Sequence, residues 1–330
     1  MRSPEVIAAV DIGSNSAHLL VALVDHRTVT PLADESALLG LGGIVDRDGR
    51  LPFAARAALI DALEGFATTA RRWHANELLL LGAEPFRRAT DAGEVSDMVL
   101  GRIGVPIIIL DHAEEAELTL LGVTRGTPVE APLLVVDIGG GSTEAIVQAP
   151  GRAPKTFIIA TGSNRLTQAC SPADPPMPAD RELLAVRARE LLAAAPGRHP
   201  SRAVFVGGSA TNLARVVTGV RGGDPSAPNA TITRVGVEQA IHEIDRTSSG
   251  VLAERYRVTP TRARLLPAGA ALMLAFMERY ELEAVETSEA SLREGAVLAH
   301  RHAGSDWRSR LTALTAGWPD PDVKALRAGR

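Results

Sequence analysis

The chain has 330 residues, enough for two domains of roughly 100–200 residues each, and is 45% hydrophobic and 22% charged. That balance supplies apolar side chains for real cores and excludes a disordered polyelectrolyte. A net charge of −4 excludes a broad basic coat for nucleic acid, and the single cysteine, Cys170, excludes an intrachain disulfide or a cysteine-built metal site. No apolar run reaches the roughly 18 residues that a membrane span needs. The five apolar residues before Asp11 are too few for a signal-peptide core, so a cytoplasmic protein is expected. Lys155 and Lys324 are the only lysines among 35 basic residues. A phosphate clamp here must therefore use arginine forks, backbone N–H groups or a metal.

Val6–Val10 and Leu19–Val24 are apolar runs bounded by turn residues and predict strands. Phe53–Trp73 has apolar residues at helical spacing and ends in Arg71 and Arg72, suited to the negative end of a helix dipole. Leu78–Leu81 and Ile107–Leu110 predict further strands. The pattern then restarts, with strands at Leu133–Val136 and Glu144–Val147 and a helix over Asp180–Ala195. A strand at Ala203–Val206 feeds a helix from about Ser209. The proline-rich stretch Ser171–Pro178 reads as an exposed loop, and the segment after Gly304, with Trp307 and Trp318, is polar with scattered apolar residues. Strands and helices mixed in this order predict α/β architecture.

An internal repeat organises these elements. Residues 9–22 read AVDIGSNSAHLLVA and residues 135–148 read VVDIGGGSTEAIVQ, with Asp11 and Asp137 126 residues apart. Each copy places an aspartate at a strand end, then small residues, then a second strand. Glycine lets backbone N–H groups approach an anion, and successive N–H groups in a tight turn form an anion nest. Gly13, Ser14, Asn15 and Ser16 in the first copy, and Gly139, Gly140, Gly141, Ser142 and Thr143 in the second, are the candidate phosphate binders. An aspartate repels phosphate, so Asp11 and Asp137 are expected to hold a divalent cation. Ordinary hairpin turns with aspartate as turn former are the plainer explanation of one copy. Two copies at domain spacing favour phosphate.

A third glycine segment, Gly207-Gly208-Ser209, follows a strand and opens a helix, which makes it an anion site as well as a helix cap. Asp111-His112-Ala113-Glu114 fits a capping box, giving Glu114 a structural duty. Glu115 has none beyond that of a first-turn acid. His18 sits in the strand after the first turn and is expected to bond locally. His300 and His302 lack partners at zinc-ligand spacing.

With these segments in place, the chain resembles the exopolyphosphatase/guanosine pentaphosphate phosphohydrolase family, within the actin-like, sugar-kinase and Hsp70 ATPase superfamily. The resemblance is carried by DIGSNS at 11–16, AEEAELTLLGV at 113–123, DIGGGSTE at 137–144, GSNRLT at 162–167, GGSATNLA at 207–214 and LREG at 292–295. It implies two ribonuclease-H-like domains, 1–127 and 128–303, with the active site in the cleft between them. Residues 304–330 are left as a C-terminal tail, and whether it closes back on the first domain is open in the sequence.

By the same resemblance Glu115 is the catalytic residue, activating water. Asp137 and Glu144 support Mg²⁺ with Asp11 opposing them, and Arg87 and Arg165 offer forks to phosphate oxygens. The implied substrate is the terminal phosphoanhydride of inorganic polyphosphate, with guanosine pentaphosphate (pppGpp) as the alternative, and the family habit is a homodimer. A sugar or metabolite kinase would share the glycine turns, but no acceptor-side motif is visible. A non-catalytic sensor of polyphosphate or alarmone is the other rival. Three segments depart from the family pattern. Ala83-Glu84-Pro85-Phe86-Arg87 stands where Thr-Ser-Ala-Leu-Arg is common, so two hydroxyls are lost and an acid is gained. Asp111-His112 replaces Ser-Gly, and Arg262-Ala263-Arg264 replaces Arg-Ala-Asp.

Overall fold

The computed structural model describes residues 3–197, 199–226 and 230–318. It contains two compact units. The first gathers the described residues of Met1–Ala131, Gln148–Lys155 and Ala290–Arg330, and the second those of Pro132–Val147 and Thr156–Glu289. Among the described residues no helix is long and apolar enough to cross a membrane.

The first sheet has five strands: β1 (Glu5–Ile12), β2 (Ser16–Asp25), β3 (Thr28–Leu38), β4 (Glu77–Gly82) and β5 (Ile107–Ile109), in the order β3-β2-β1-β4-β5. β1, β2 and β3 pair antiparallel, while β4 and β5 add on in parallel. β1 is central, and alternate residues feed opposite cores. Ala8, Val10 and Ile12 face one cluster with Leu59 and Phe66; Ile7 and Ala9 face another with Leu118, Leu121 and Trp307. A strand buried on both faces must be continuously apolar, which is why Val6–Val10 is legible as one. β3 is an edge strand holding Pro31 opposite Ala22, next to a register shift at Val21/Ala22. Proline and polar residues suit a sheet edge, and they hide the strand from periodicity.

The second sheet has β6 (Leu133–Ile138), β7 (Thr143–Gln148), β8 (Lys155–Ile159), β9 (Arg202–Val206), β10 (Thr231–Thr233) and β11 (Ala284–Thr287), ordered β10-β11-β9-β6-β7-β8. The sequence repeat is thus a repeat of topology. β6 neighbours β7 and pairs in parallel with β9, as β1 neighbours β2 and pairs in parallel with β4. The predicted helices run Phe53–Arg72, Pro178–Leu191 and Gly207–Val220. The second starts two residues early because Pro178 occupies its first turn, where a missing N–H is harmless.

The helix Leu292–Ala303, placed with the second half in the sequence reading, packs within the first unit against the helix His112–Thr124. There Gly122 and Gly295 let the two backbones meet: a Cβ on Gly295 would lie 1.8 Å from the Leu118 carbonyl oxygen, and one on Gly122 would lie 1.9 Å from that of Ser291.

The terminal segment also returns to the first unit, through a helix at Trp307–Thr315. Its Trp307 and Leu311 enter the core with Leu118, and Arg308 forks onto both carboxylate oxygens of Glu114 at 2.7 Å. Trp318 then lies over the His302 ring, with centroids 3.9 Å apart, and its backbone N–H donates to the Gly126 carbonyl. Residues 319–330 of the tail lie outside the described residues.

The His302 Nε2 meets the His26 carbonyl oxygen at 2.8 Å, and burial holds the imidazole below the ordinary histidine range. A folded-state pKa below the unfolded one means the unfolded chain binds more protons. Stability is therefore lost as pH falls through the ordinary value of 6.5. We expect the melting temperature to fall more steeply between about pH 7 and about pH 5 in the wild type than in a His302→Gln variant, followed by calorimetry. Equal slopes would contradict it.

Candidate active site

In the first unit Asp11 is the penultimate residue of β1, and residues 13–15 turn the chain into β2. The Gly13 N–H donates to the Ser16 carbonyl at 3.1 Å, closing the turn. The turn's outer carbonyls are tied down: Asn15 O accepts from the N–H groups of Leu39 and Gly40, and Ser14 O from that of Gly42 at 2.8 Å. The Asn15 side-chain amide nitrogen, by contrast, is buried with no hydrogen-bond partner among the described residues, a donor awaiting an acceptor. The Ser16 hydroxyl meets His18 Nε2 at 2.6 Å, the local bond expected of that histidine.

Glu115 opens the helix His112–Thr124. The predicted capping box forms, with the Glu114 N–H donating to Asp111 Oδ1 at 2.8 Å and the Asp111 N–H to Glu114 Oε2 at 2.9 Å. Capping fixes the first helical turn and so the direction of Glu115, which is only 9% exposed. Its carboxylate accepts from Arg87 Nη1 at 2.6 Å; the same nitrogen donates to the Leu110 carbonyl at 3.0 Å, and Nη2 meets His112 Nδ1 at 3.1 Å. Arg87 comes from the short helix Glu84–Arg88 after β4. The structure therefore joins two predicted site residues, the candidate base and a candidate phosphate fork, as an ion pair.

In the second unit Asp137 is the penultimate residue of β6, and residues 139–142 lead into Thr143 of β7. The turn's carbonyls point to one helix, Ser163–Cys170. Gly139 O accepts from the Ser163 N–H at 2.9 Å, and Gly140 O from those of Asn164 and Arg165 at 3.0 and 3.2 Å. With the carbonyls so engaged, the N–H groups of Gly140 and Gly141 have no backbone acceptor among the described residues. Gly162 permits the approach: a Cβ there would fall 2.3 Å from Gly139 O. Arg165 donates to the carbonyls of Gly141 and Ala160 at 3.1 and 3.0 Å, and Thr143 donates to Thr161 O at 3.0 Å. Arg165 thus holds the turn's backbone, and Thr143 ties the strand after it to the segment before the helix. Ser142 and Glu144 are buried on the same hairpin.

The third glycine segment closes on this turn. Gly207 has φ +82°, and a Cβ there would meet Asp137 Oδ1 at 2.3 Å; the Ser209 hydroxyl donates to Ser163 Oγ at 2.9 Å. Asp137 is thus seated against bare glycine backbone. Gly207→Ala would add both left-handed strain and displacement of the carboxylate. The expected outcome is a loss of about 2 kcal/mol of stability, read by urea melting, with phosphatase activity down about a hundredfold. An unchanged activity would detach Asp137 from the chemistry.

Two neighbours escaped the sequence reading. The Arg262 guanidinium lies where a Gly208 Cβ would be, 2.6 Å from Nη1, and Glu84 sits directly behind Ser14, taking its hydroxyl hydrogen at 2.7 Å. Both positions were visible only as departures from the family pattern.

Paired α/β units, each ending a strand in an aspartate and a glycine turn, define a phosphate-handling protein of the actin-like ATPase class. The Ppx/GppA phosphatase family matches residues 20–303, and the chain belongs to it. The chain is 30% identical over 311 residues to exopolyphosphatase 1 of Mycobacterium tuberculosis, covering 91% of this chain and 89% of that one. It is 29% identical over 317 residues to exopolyphosphatase 1 of Mycobacterium leprae, covering 91% of each. Its fold matches a crystal structure of an exopolyphosphatase from Cytophaga hutchinsonii with a TM-score of 0.80 at 20% identity, over 95% of this chain and all of that one. It also matches the Ppx/GppA family member of Aquifex aeolicus at 0.79 and 23%, over 92% and 99%. The fold is the two-domain actin-like one that the family resemblance implies, and the protein is a hydrolase of phosphoanhydride bonds.

Proposed function

We propose that the protein is an exopolyphosphatase that removes the terminal phosphate of inorganic polyphosphate. The observation that carries this reading is the pair of glycine turns at equivalent strand ends where, among the described residues, the N–H groups of Gly140 and Gly141 have no backbone acceptor and the buried Asn15 amide nitrogen has no partner. A phosphoryl group offers several acceptor oxygens at once, and nests of this kind suit it. Similarity to mycobacterial exopolyphosphatases over nine-tenths of the chain supports the choice of polyphosphate.

Phosphoryl transfer asks a protein mainly for positioning and charge stabilisation. Gly13–Ser16 on the first unit and Gly139–Ser142 with Gly207–Ser209 on the second bind and orient the phosphate oxygens. Arg165 serves by holding the second turn's backbone, and Thr143 by tying the strand after it to the segment before the helix Ser163–Cys170. Glu115 takes a proton from the attacking water, and Arg87 holds its carboxylate at a defined oxygen. Asp137 and Glu144 on the second unit are hard oxygen donors of the kind Mg²⁺ prefers, as is Asp11 on the first, and Asp137 sits in a cradle only glycine leaves open. When bound, Mg²⁺ would neutralise charge on the transferred phosphoryl group. The readings of a homodimer, and of guanosine pentaphosphate as an alternative substrate, rest on the family resemblance, and that of a cytoplasmic protein on the short apolar stretch before Asp11.

The test is phosphate release from long-chain polyphosphate, tripolyphosphate, guanosine pentaphosphate and ATP, each with Mg²⁺ or with a chelator. Metal-dependent release with the highest kcat/KM on polyphosphate is expected. Release from guanosine pentaphosphate alone would keep the chemistry and overturn the substrate.

A further inference from the structure

Two arginines grip the entry to the helix His112–Thr124 in the same way. Arg87 Nη1 donates to the Leu110 carbonyl at 3.0 Å and to Glu115 at 2.6 Å. Arg308 Nη2, from the terminal helix Trp307–Thr315, meets the preceding carbonyl, that of Ile109, at 3.3 Å and Glu114 Oε2 at 2.7 Å. Consecutive carbonyls at the end of β5 are thus tied to consecutive glutamates that open the helix, each pair through one guanidinium nitrogen. The Arg308 contact falls on the capping box itself, because Glu114 Oε2 is also the oxygen that accepts the Asp111 N–H at 2.9 Å. Arg308 Nε donates to the other oxygen, Oε1, at 2.7 Å.

A fork onto both oxygens fixes the rotation of a carboxylate, which a single contact does not. With Glu114 so oriented the cap is held, the first helical turn is fixed, and the direction of the next residue, Glu115, is narrowed. The ion pair adds little stability, because the Arg308 side chain is 46% exposed and exposed pairs contribute little. The terminal helix is anchored separately. Trp307 and Leu311 enter the core, and the Thr312 hydroxyl lies 3.0 and 3.2 Å from the two carboxylate oxygens of Glu117. Removing the Arg308 side chain therefore frees the cap and leaves the helix docked.

We propose that Arg308 is a positioning residue for the general base, acting through Glu114 on Glu115, an inference that rests on the reading above in which Glu115 takes a proton from water. The terminal helix then belongs to the catalytic framework as well as to the core. A base displaced by part of an ångström from the attacking water slows the chemical step, whereas binding of the phosphate chain by the glycine turns is left as it was.

The experiment measures kcat and KM for polyphosphate with Mg²⁺ on the full chain, for wild type, Arg308→Ala, Arg308→Lys and Thr312→Ala. Melting temperature and amide hydrogen exchange at residues 114–116 are followed in each. Arg308→Ala should lower kcat about tenfold with KM within about twofold of wild type. Its melting temperature should move by no more than about 3 °C, while exchange at 114–116 quickens about tenfold. Lysine keeps the charge without the fork and should recover about a third of the wild-type kcat. Thr312→Ala loosens the same helix away from the cap and should leave kcat and the exchange at 114–116 unchanged. Glu114→Gln keeps an oxygen for both Asp111 and Arg308 Nη2 and should lose less than about threefold in kcat. An unchanged kcat in Arg308→Ala, an equal fall in Thr312→Ala, or a raised KM alone would overturn the proposal and leave the proposed function standing. Should Arg308→Ala fold poorly, Arg308→Lys carries the test, and wild-type kcat with wild-type exchange in it would overturn the proposal. No phosphate release by any form, wild type included, overturns the function and this inference with it.

Discussion

Glu115→Gln should lower the turnover of polyphosphate about a thousandfold, the scale typical of a lost general base. Glutamine keeps the shape of the side chain and a carbonyl oxygen to accept from Arg87 Nη1, so the contact seen at 2.6 Å can persist in neutral form. What disappears is the capacity to take a proton from water. The capping pair Asp111–Glu114, one residue away, is untouched, so the start of the helix should stay formed. Steady-state phosphate release and far-ultraviolet circular dichroism separate the two effects. A variant that retains more than about a tenth of wild-type turnover would remove Glu115 from the role of base. Glu114→Gln is the matched control, because its partners are Asp111 N–H and Arg308 rather than the candidate site.

The second large effect concerns the framework. Gly295→Ala should destabilise the protein by about 3 kcal/mol, although alanine is the better helix former by about 1 kcal/mol. A methyl group at 295 would lie 1.8 Å from Leu118 O and 2.6 Å from Leu118 C, and helical backbone does not yield as a side chain does. The two helices must separate, and the core of Leu118, Leu121, Leu292 and Ala296 opens with them. Gly122→Ala acts on the same crossing from the other side, 1.9 Å from Ser291 O. The two changes should therefore be less than additive: once the helices have parted, the second methyl meets less resistance. Urea unfolding of both single variants and the double variant measures this. Full additivity would mean that the glycines act separately.

The parts of the molecule legible in the sequence are those governed by local rules. The strands around Val6–Val10 and Leu133–Val136 could be read because they are buried on both faces and so continuously apolar. The glycine turns could be read because a repeated Asp-Ile-Gly has few other uses, and the capping box because its two residues are neighbours in sequence. What escaped depends on distant partners. β3 is an edge strand whose polar face and Pro31 resemble a loop. The Gly122–Gly295 crossing joins residues far apart in the sequence, and nothing near either glycine announces the other. The helix Trp307–Thr315 has only Trp307 and Leu311 as strong anchors, and its ion pair with Glu114 is set by tertiary packing. In the candidate site the same division holds. Glu115 was found from its motif, whereas its bond to Arg87, the engagement of Arg165 with the second turn and of Thr143 with Thr161, and the burial of Glu84 behind Ser14 follow from folding.

The direct test of exopolyphosphate hydrolysis is where a water oxygen goes. Polyphosphate hydrolysed in ¹⁸O-enriched water by the wild-type protein should release orthophosphate carrying one ¹⁸O, while the chain, shortened by one unit, carries none. That pattern means that water attacks the terminal phosphorus and the shortened chain departs. Label in the remaining chain, or loss of terminal phosphate without labelled orthophosphate, would contradict it.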